Sequence, residues 1–210
     1  MNPSRELNLR QQQRDSTREQ ILIAATTVFA SQGFEAASMA EIAALAGHKK
    51  ALLQYHFATK HNLWRHTVAH LWALRDRVLP RYLDDDSAGG AEASFRKVLR
   101  AVLSFNHHHP EWVALVFRES AQPGERLTWL IDHYLGQDIS QGTEFIQRAQ
   151  QDGLLPSVSP LQLLHLISGA LCYTQLVAPM TLQATGTDLA SNAAMDEQVD
   201  ILLRLLQPPN

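Results

Sequence analysis

From Ser16 to Leu206 the apolar residues recur at three- and four-residue intervals, and no stretch alternates as a half-buried strand requires. The prolines respect that period. Pro110, Pro123, Pro156, Pro160 and Pro179 fall between or at the ends of the periodic segments, where a missing backbone N–H is tolerated. The pattern predicts helices over about 91–107, 111–121, 126–152, 160–178 and 190–206, behind four shorter or similar ones near the N-terminus. The expected fold is all-α, with about nine helices, in an N-terminal head and a helical body.

Residues 1–15 are polar and Gln/Arg-rich, and are expected to form a flexible arm. Ser16 and Glu19 have the spacing of a capping box, followed by Ile21, Leu22, Ala25, Val28 and Phe29 at helical spacing and by Gly33 as a stop. Ser38 and Glu41 repeat the box ahead of Met39, Ile42, Ala43 and Leu45, and that short helix ends at Gly47. Further helices are expected over 49–57 and 60–81. The head is therefore placed at 16–63 and the body at 64–210. The run Asp84 to Gly90 reads as a solvated turn.

Hydrophobic residues make up 45% of the chain and charged residues 19%, which suits a folded globular protein. Cys172 is the sole cysteine, so neither an internal disulfide nor a thiolate-rich metal site can form, and a cytoplasmic location is expected. Met1 to Arg14 lacks the apolar core of a signal peptide. The most apolar stretch, Leu161 to Pro179, contains His165, Ser168, Gly169, Thr174 and Gln175 and reads as a buried helix, so no membrane span is expected. Charge is divided unevenly: residues 1–65 carry a net +3 and residues 66–210 a net −6. A basic head on an acidic body is what a chain needs when only its head meets phosphates.

The segment Ser38 to Phe57 sharpens that reading. Two short helices meet at a tight turn containing Gly47, and the second is too small and too polar to be a core element. Leu53 and Phe57, four residues apart, anchor one face; Lys49, Lys50, Gln54, Tyr55 and His56 occupy the other. Such a helix fits the major groove of double-stranded DNA, its side chains reaching base edges while flanking groups hold phosphates. Gln54 has the amide needed for a bidentate pair with adenine. Tyr55, His56 and Lys60 suit phosphate contact, and Ser38 adds a hydroxyl beside the free amides of a helix start. Gln54→Ala is expected to relax base preference, and Lys60→Ala to weaken binding to all sequences alike. Arg5, Arg10, Arg14 and Arg18 in or behind the arm could reach phosphates or a neighbouring minor groove.

Several blocks carry a family resemblance: Ile21-Leu22 and Ala24-Ala25, Phe29-Ala30-Ser31-Gln32-Gly33-Phe34, Ala37-Ser38-Met39, Glu41-Ile42-Ala43, Ala46-Gly47, Leu53-Gln54-Tyr55-His56-Phe57 and Lys60-His61-Asn62-Leu63. Together, from Thr17 to Leu63 without a gap, they resemble the DNA-binding domain of the tetracycline-repressor (TetR) family. The resemblance implies a three-helix head, an all-α regulatory body, a homodimer, and release from a palindromic operator when a small-molecule effector binds. It assigns phosphate contact to Ser38, Tyr55, His56 and Lys60, and base readout to Lys50, Ala51 and Gln54. Three positions depart from the family pattern. His48 stands where a small apolar residue usually follows the turn glycine, Lys49 where Ser or Thr usually caps the recognition helix, and Gln54 where an aromatic often precedes the tyrosine. The first two leave the helix start poorly capped, at a cost of roughly 1 kcal/mol, and add donors beside the DNA.

In the body, Leu161, Leu164, Leu171 and Val177, with Val199, Leu202, Leu203 and Leu206, are expected to form a two-fold four-helix interface, as the resemblance implies. Aromatic and polar residues interleave at Phe105, Trp112, Phe117, Arg118, Trp129, His133, Tyr134, Phe145, His165, Tyr173 and Gln175, and are expected to line an effector pocket for a partly apolar or aromatic compound. His107-His108-His109 marks a helix end; adjacent histidines diverge by about 100° per residue and seldom share an ion, so no metal and no cofactor are expected. Two rivals stand beside the repressor. One is a regulator that has lost specific DNA recognition and acts through protein contacts, an option the His48-Lys49 start keeps open. The other is an enzyme, for which the chain offers no nucleophile elbow, phosphate loop, zinc-protease helix or dinucleotide fingerprint.

Overall fold

The computed structural model describes residues 3–79 and 90–206. All its regular elements are helical: α1 (Pro3–Ala36), α2 (Met39–Leu45), α3 (Lys50–Phe57), α4 (Lys60–Val78), α5 (Gly90–His108), α6 (Pro110–Ser120), α7 (Glu125–Leu130), α8 (Gly136–Gln151), α9 (Pro160–Thr185) and α10 (Asn192–Leu205). A π-helical turn, Ile131–Leu135, joins α7 to α8 without a break, so the described residues form nine separate helices. The all-α reading holds.

Two helix boundaries differ from expectation. The stretch expected as an arm is helical from Pro3 and runs straight into the first core helix, so Ser16 and Glu19 lie inside α1 and cap nothing. Gly33 does break that helix, at φ 80° and ψ 171°, a conformation that only glycine adopts without strain. Pro179 sits inside α9 rather than at its end. It lacks the amide that would bond the carbonyl four residues back, yet the helix continues to Thr185, where Gly186 (φ 76°) caps it. The acidic run 84–89 and residues 80–81 lie outside the described residues.

The chain divides into two compact units between Leu74 and Arg75, farther along than the expected boundary at 63/64, because α4 goes on burying side chains as far as Trp72. In the first unit Ile21, Ala25, Phe29, Ile42, Leu53, Phe57, Leu63, Trp64 and Val68 are each at most 2% exposed. Phe34 stacks on Phe29 at 6.0 Å and meets Trp64 edge-on at 6.4 Å. Each such side chain contributes about 1.5–3 kcal/mol of burial, enough to lock the four helices together.

The second unit is built round Phe95, Leu99 and Leu103 of α5, Ile146 and Ala149 of α8, Leu163, Ile167 and Leu171 of α9, and Met195, Val199 and Leu203 of α10. Helices α8 and α9 approach closely at Gly142: a Cβ there would lie 2.8 Å from Leu164 Cδ1, so any larger residue would require that leucine side chain to shift. Asn106, buried in α5, directs its amide at the Leu171 carbonyl and the Cys172 sulfur, both at 3.5 Å. Burial pushes the Cys172 thiol up to about 11, against a smaller opposing effect of the Asn106 hydrogen bond, so it stays a neutral core group. By length and composition alone α9 could cross a membrane. It is buried on one face only: Leu166, Tyr173 and Met180 on the other are 70%, 63% and 61% exposed.

Candidate functional site

Helices α2 and α3 meet as the sequence pattern requires. Ser38 caps α2, its Oγ accepting the Glu41 amide at 3.1 Å, which leaves the hydroxyl hydrogen available to a phosphate. The box is not reciprocal, because Glu41 Oε1 accepts from Gln32 Nε2 instead. Leu45, expected on the apolar stripe, is 56% exposed. Gly47 takes φ 72° and closes the turn, its amide bonding the Ala44 carbonyl at 3.1 Å and the His48 amide the Ala43 carbonyl at 2.8 Å. His48 does not stand free in this turn: its Nε2 lies 2.9 Å from Gln20 Oε1 of α1, tying the turn to the helix behind it. Lys49 offers no side-chain cap, as its residue type dictates.

Helix α3 then has two distinct faces. Leu53 and Phe57 are wholly buried, whereas Lys49, Lys50, Ala51, Gln54 and Tyr55 are exposed and His56 is half-buried. The helix is fixed from its far end too. Asn62 Nδ2 donates to the Phe57 carbonyl at 2.9 Å, and Thr59 Oγ1 accepts the Asn62 amide at 3.1 Å. Between them Ala58 holds φ 57°, a conformation costing roughly 1–2 kcal/mol for a residue with a Cβ. The two bonds from Asn62 hold this turn in place.

Lys60 is placed differently from the expectation. Its ammonium donates to the carbonyls of Phe34, Glu35 and Ala37 at 2.8, 3.2 and 3.1 Å, and sits 4.4 Å from the centre of the Phe34 ring. An ammonium has three N–H groups, and all are used. Lys60 caps the end of α1 and is not free for phosphate.

In the second unit the expected effector residues fall into separate groups. Phe105 is only 2% exposed, with Trp112 edge-on at 5.8 Å and His109 at 4.7 Å. Trp129 stacks on His133 at 4.4 Å and meets Tyr134 at 5.7 Å, on α7 and its π-turn. Phe145 stacks on Phe95 in the core at 5.1 Å. Phe117, Arg118, His165 and Tyr173 are exposed, the last two on the outer face of α9. Two residues the pattern did not single out lie among the aromatics. Arg75 lies over the Trp112 ring at 5.3 Å and donates to the Asp138 carboxylate. Burial, and next the Asp76 carboxylate, push the Tyr134 phenol above its usual value. A cavity of about 360 Å³ between α5 and α10 is lined instead by Arg96, Lys97, Arg100, Asp196 and Asp200, with Ala93 and Val199. Arg96 bonds Asp200 there and Arg100 bonds Asp196, so its charges are largely satisfied internally.

The expected interface residues divide as well. Leu171, Val199 and Leu203 belong to the unit's own core, and Leu164, Leu202 and Leu206 pack against it; Val177 is half-buried and Leu161 is 44% exposed. A core stripe and an interface stripe share one helical period, so spacing alone assigned the inner one outward. Exposed instead are Leu166, Tyr173, Leu176 and Met180 on α9, with Ile201 and Leu205 on α10. His108 Nδ1 lies 2.7 Å from the Ser104 carbonyl and the His109 ring faces Phe105, so these two point to different places, while the His107 ring meets the His108 ring edge-on at 5.0 Å.

Two family models match the chain. Residues 21–66 match that of bacterial regulatory proteins of the tetR family, and residues 92–205 that of the tetracyclin repressor-like C-terminal domain. The chain belongs to the TetR family. It is a DNA-binding transcription regulator with a helix-turn-helix head and a ligand-binding body. Among its relatives is the HTH-type transcriptional repressor NicS of Pseudomonas putida, 25% identical over 81% of this chain and 80% of that one. Among solved structures, the hemolysin II transcriptional regulator HlyIIR superposes with a TM-score of 0.73 at 22% identity, covering 92% of this chain and 98% of the other. AibR, solved with isovaleryl coenzyme A and operator DNA, superposes with a TM-score of 0.72 at 20% identity, over 92% of this chain and all of its own.

The head of this TetR-family chain carries two histidines, His56 and His66, in the field of Arg18. Arg18 Nη2 donates to His66 Nδ1 at 2.8 Å, which requires that nitrogen to be unprotonated. Burial, and then the Arg18 charge, hold His66 below its usual value of 6.5; burial, and then Arg14, Arg18 and His48, do the same for His56. The native head thus binds fewer protons than the unfolded chain once the pH drops below about 6.5, so its stability is full above that pH and falls as the pH falls toward the depressed native values. His66→Gln keeps an acceptor for Arg18 without titrating. Its melting temperature, followed from pH 8 to pH 5, is expected to fall less steeply than that of the wild type. Parallel curves for the two proteins would exclude His66 as a source of the acid sensitivity.

Proposed function

We propose that the protein is a dimeric, sequence-specific transcription repressor of the cytoplasm, released from a palindromic operator by a small, partly apolar or aromatic effector. The observation that carries the reading is the two-sidedness of α3: Leu53 and Phe57 are 0% exposed while Lys49, Lys50, Ala51, Gln54 and Tyr55 all face solvent. A helix of eight residues anchored at only two of them is built to present its other face. Ser38, Tyr55 and His56 hold phosphates, and Lys50, Ala51 and Gln54 read base edges. The head, 16–63 with the α1 extension, binds DNA; the body, 64–210, dimerises and takes the effector. The effector region we favour lies around Trp112, Trp129 and Tyr134, where Arg75 and Asp138 supply the polar groups that orient a ligand. Two-fold pairing places the recognition helices about one DNA turn apart, which is why the operator should be palindromic.

Selection of bound duplexes from a random pool tests this directly. A palindromic consensus bound about a thousandfold or more above random DNA is expected. Gln54→Ala is then expected to lose discrimination at one base pair of each half-site, by about 5- to 150-fold (1–3 kcal/mol), while random DNA binds as before. Selection that yields no consensus would favour the rival reading, in which the His48-Lys49 start has ended specific recognition. Compounds that dissociate the selected complex identify the effector.

A further inference from the structure

Helix α1 extends well beyond what the core needs. The helix begins at Pro3; from Gln11 onward, Gln11 to Ser16 are exposed throughout and the first buried residue is Ile21. A helix segment that buries nothing gains little from packing, so its value has to lie in what it carries. It carries arginines at four-residue intervals, Arg10, Arg14 and Arg18. The last two lie against α3. The Arg14 guanidinium is 5.7 Å from the centre of the Tyr55 ring, and that of Arg18 is 5.4 Å from the centre of the Phe57 ring while it donates to His66.

The two arginines have different tasks. Arg18 is held on both sides, so it fixes the register of α1 against α3. Arg14 forms no hydrogen bond or ion pair among the described residues; its plane rests near Tyr55, itself 69% exposed, and its N–H groups remain to donate. A guanidinium set beside an exposed tyrosine on the flank of a groove-reading helix is matched to a phosphate, which accepts two parallel N–H bonds. The lowered proton affinity of His56, caused by burial and then by Arg14 and Arg18, places all three groups in one field.

We propose that Arg14 is a DNA-binding residue, gripping the sugar–phosphate backbone beside the groove that α3 enters, with Arg18 as the residue that positions it. The α1 extension is then a helical strut that widens the footprint of each head. This rests on the reading of α3 as the groove-reading helix.

The test uses the full-length dimer, its selected operator, a random duplex, and a salt series. Arg14→Gln is expected to weaken binding to both DNAs by the same factor. It should lower the slope of log affinity against log salt by about 0.9 per phosphate, or about 2 for the two heads of a dimer. Because Arg14 buries no core surface, circular dichroism and melting should stay as in the wild type. The double variant Arg14→Gln with Gln12→Arg keeps the net charge but moves the cation to another side of the helix, since residues two apart do not share a face. It should behave like the single variant. An unchanged slope in Arg14→Gln, or full recovery in the double variant, would overturn the proposal, the second outcome showing that only net charge matters. A wild-type protein that selects no sequence at all would instead overturn the function on which the proposal rests, so the two failures are told apart.

Discussion

Leu166→Glu is expected to turn the dimer into a monomer and to weaken operator binding by about a hundredfold or more, because two linked heads gain that much over one. The outer face of α9 presents Leu166, Tyr173 and Met180 at seven-residue intervals, with Gly169 and Leu176 offset by three from the first two. That is the a/d spacing of a two-helix seam. Ile201 and Leu205, one turn apart on α10 and 45% and 75% exposed, supply a second apolar row. Among the described residues, a Cβ on Gly169 would meet nothing within 4 Å, which leaves room beside the seam for a neighbouring helix. Leu166 is 70% exposed within one chain, and a glutamate there disturbs no packing of the protomer. Light scattering should report a monomer with unchanged helical content. Binding to a single half-site should survive while binding to the full palindrome collapses. A variant that stays dimeric, together with a dimeric Leu205→Glu, would exclude this face as the interface. Leu163→Glu, set in the core at 3% exposure, marks the contrast: it should prevent folding altogether.

How much of this was legible in the sequence depends on what each feature answers to. Helix existence answers to local period and stop residues, and so 126–152 and 160–178 fell close to the observed Glu125–Gln151 run and the start of α9. Gly33 and Gly47 were readable as stops because positive φ has few tenants. The direction a stripe faces answers to what lies opposite, which spacing does not contain. Leu171 and Leu166 are both leucines on one apolar helix; only the fold shows that the first belongs to the buried core while the second meets solvent. Pro179 shows the same limit, because a long helix already packed against its neighbours can absorb a proline that a short one could not. The helical start at Pro3 was hidden for the opposite reason: residues 3–15 have no apolar stripe for a periodicity argument to find. The site splits likewise. Gln54 and Tyr55 were legible because the anchors Leu53 and Phe57 dictate which face is left over. Arg75 and Asp138 were not, since they are 63 residues apart and meet only in three dimensions.

Lys60→Met is expected to act on the stability of the head and to leave the salt dependence of DNA binding alone. Sequence alone sees a cation at the first residue of α4 and assigns it to phosphate. After the break at Gly33 the carbonyls of Phe34, Glu35 and Ala37 meet that cation, and the positive end of a side chain at a helix C-terminus is favourably placed. The methionine side chain would keep most of the contact with Phe34 but remove the Lys60 hydrogen bonds to the carbonyls of Phe34, Glu35 and Ala37. Hydrogen bonds from a charged group contribute about 1.5–3 kcal/mol each and do not add in full, so a loss of about 3 kcal/mol is the working figure. For a chain of this size that lowers the melting temperature by roughly 6–12 °C. Lys60→Arg should recover only part of it, because a planar guanidinium cannot aim three donors at three converging carbonyls. At a temperature where the variant is folded, its salt slope on operator DNA should equal that of the wild type. A slope reduced by about 2 per dimer with an unchanged melting temperature would return Lys60 to the phosphate backbone and remove it from the end of α1.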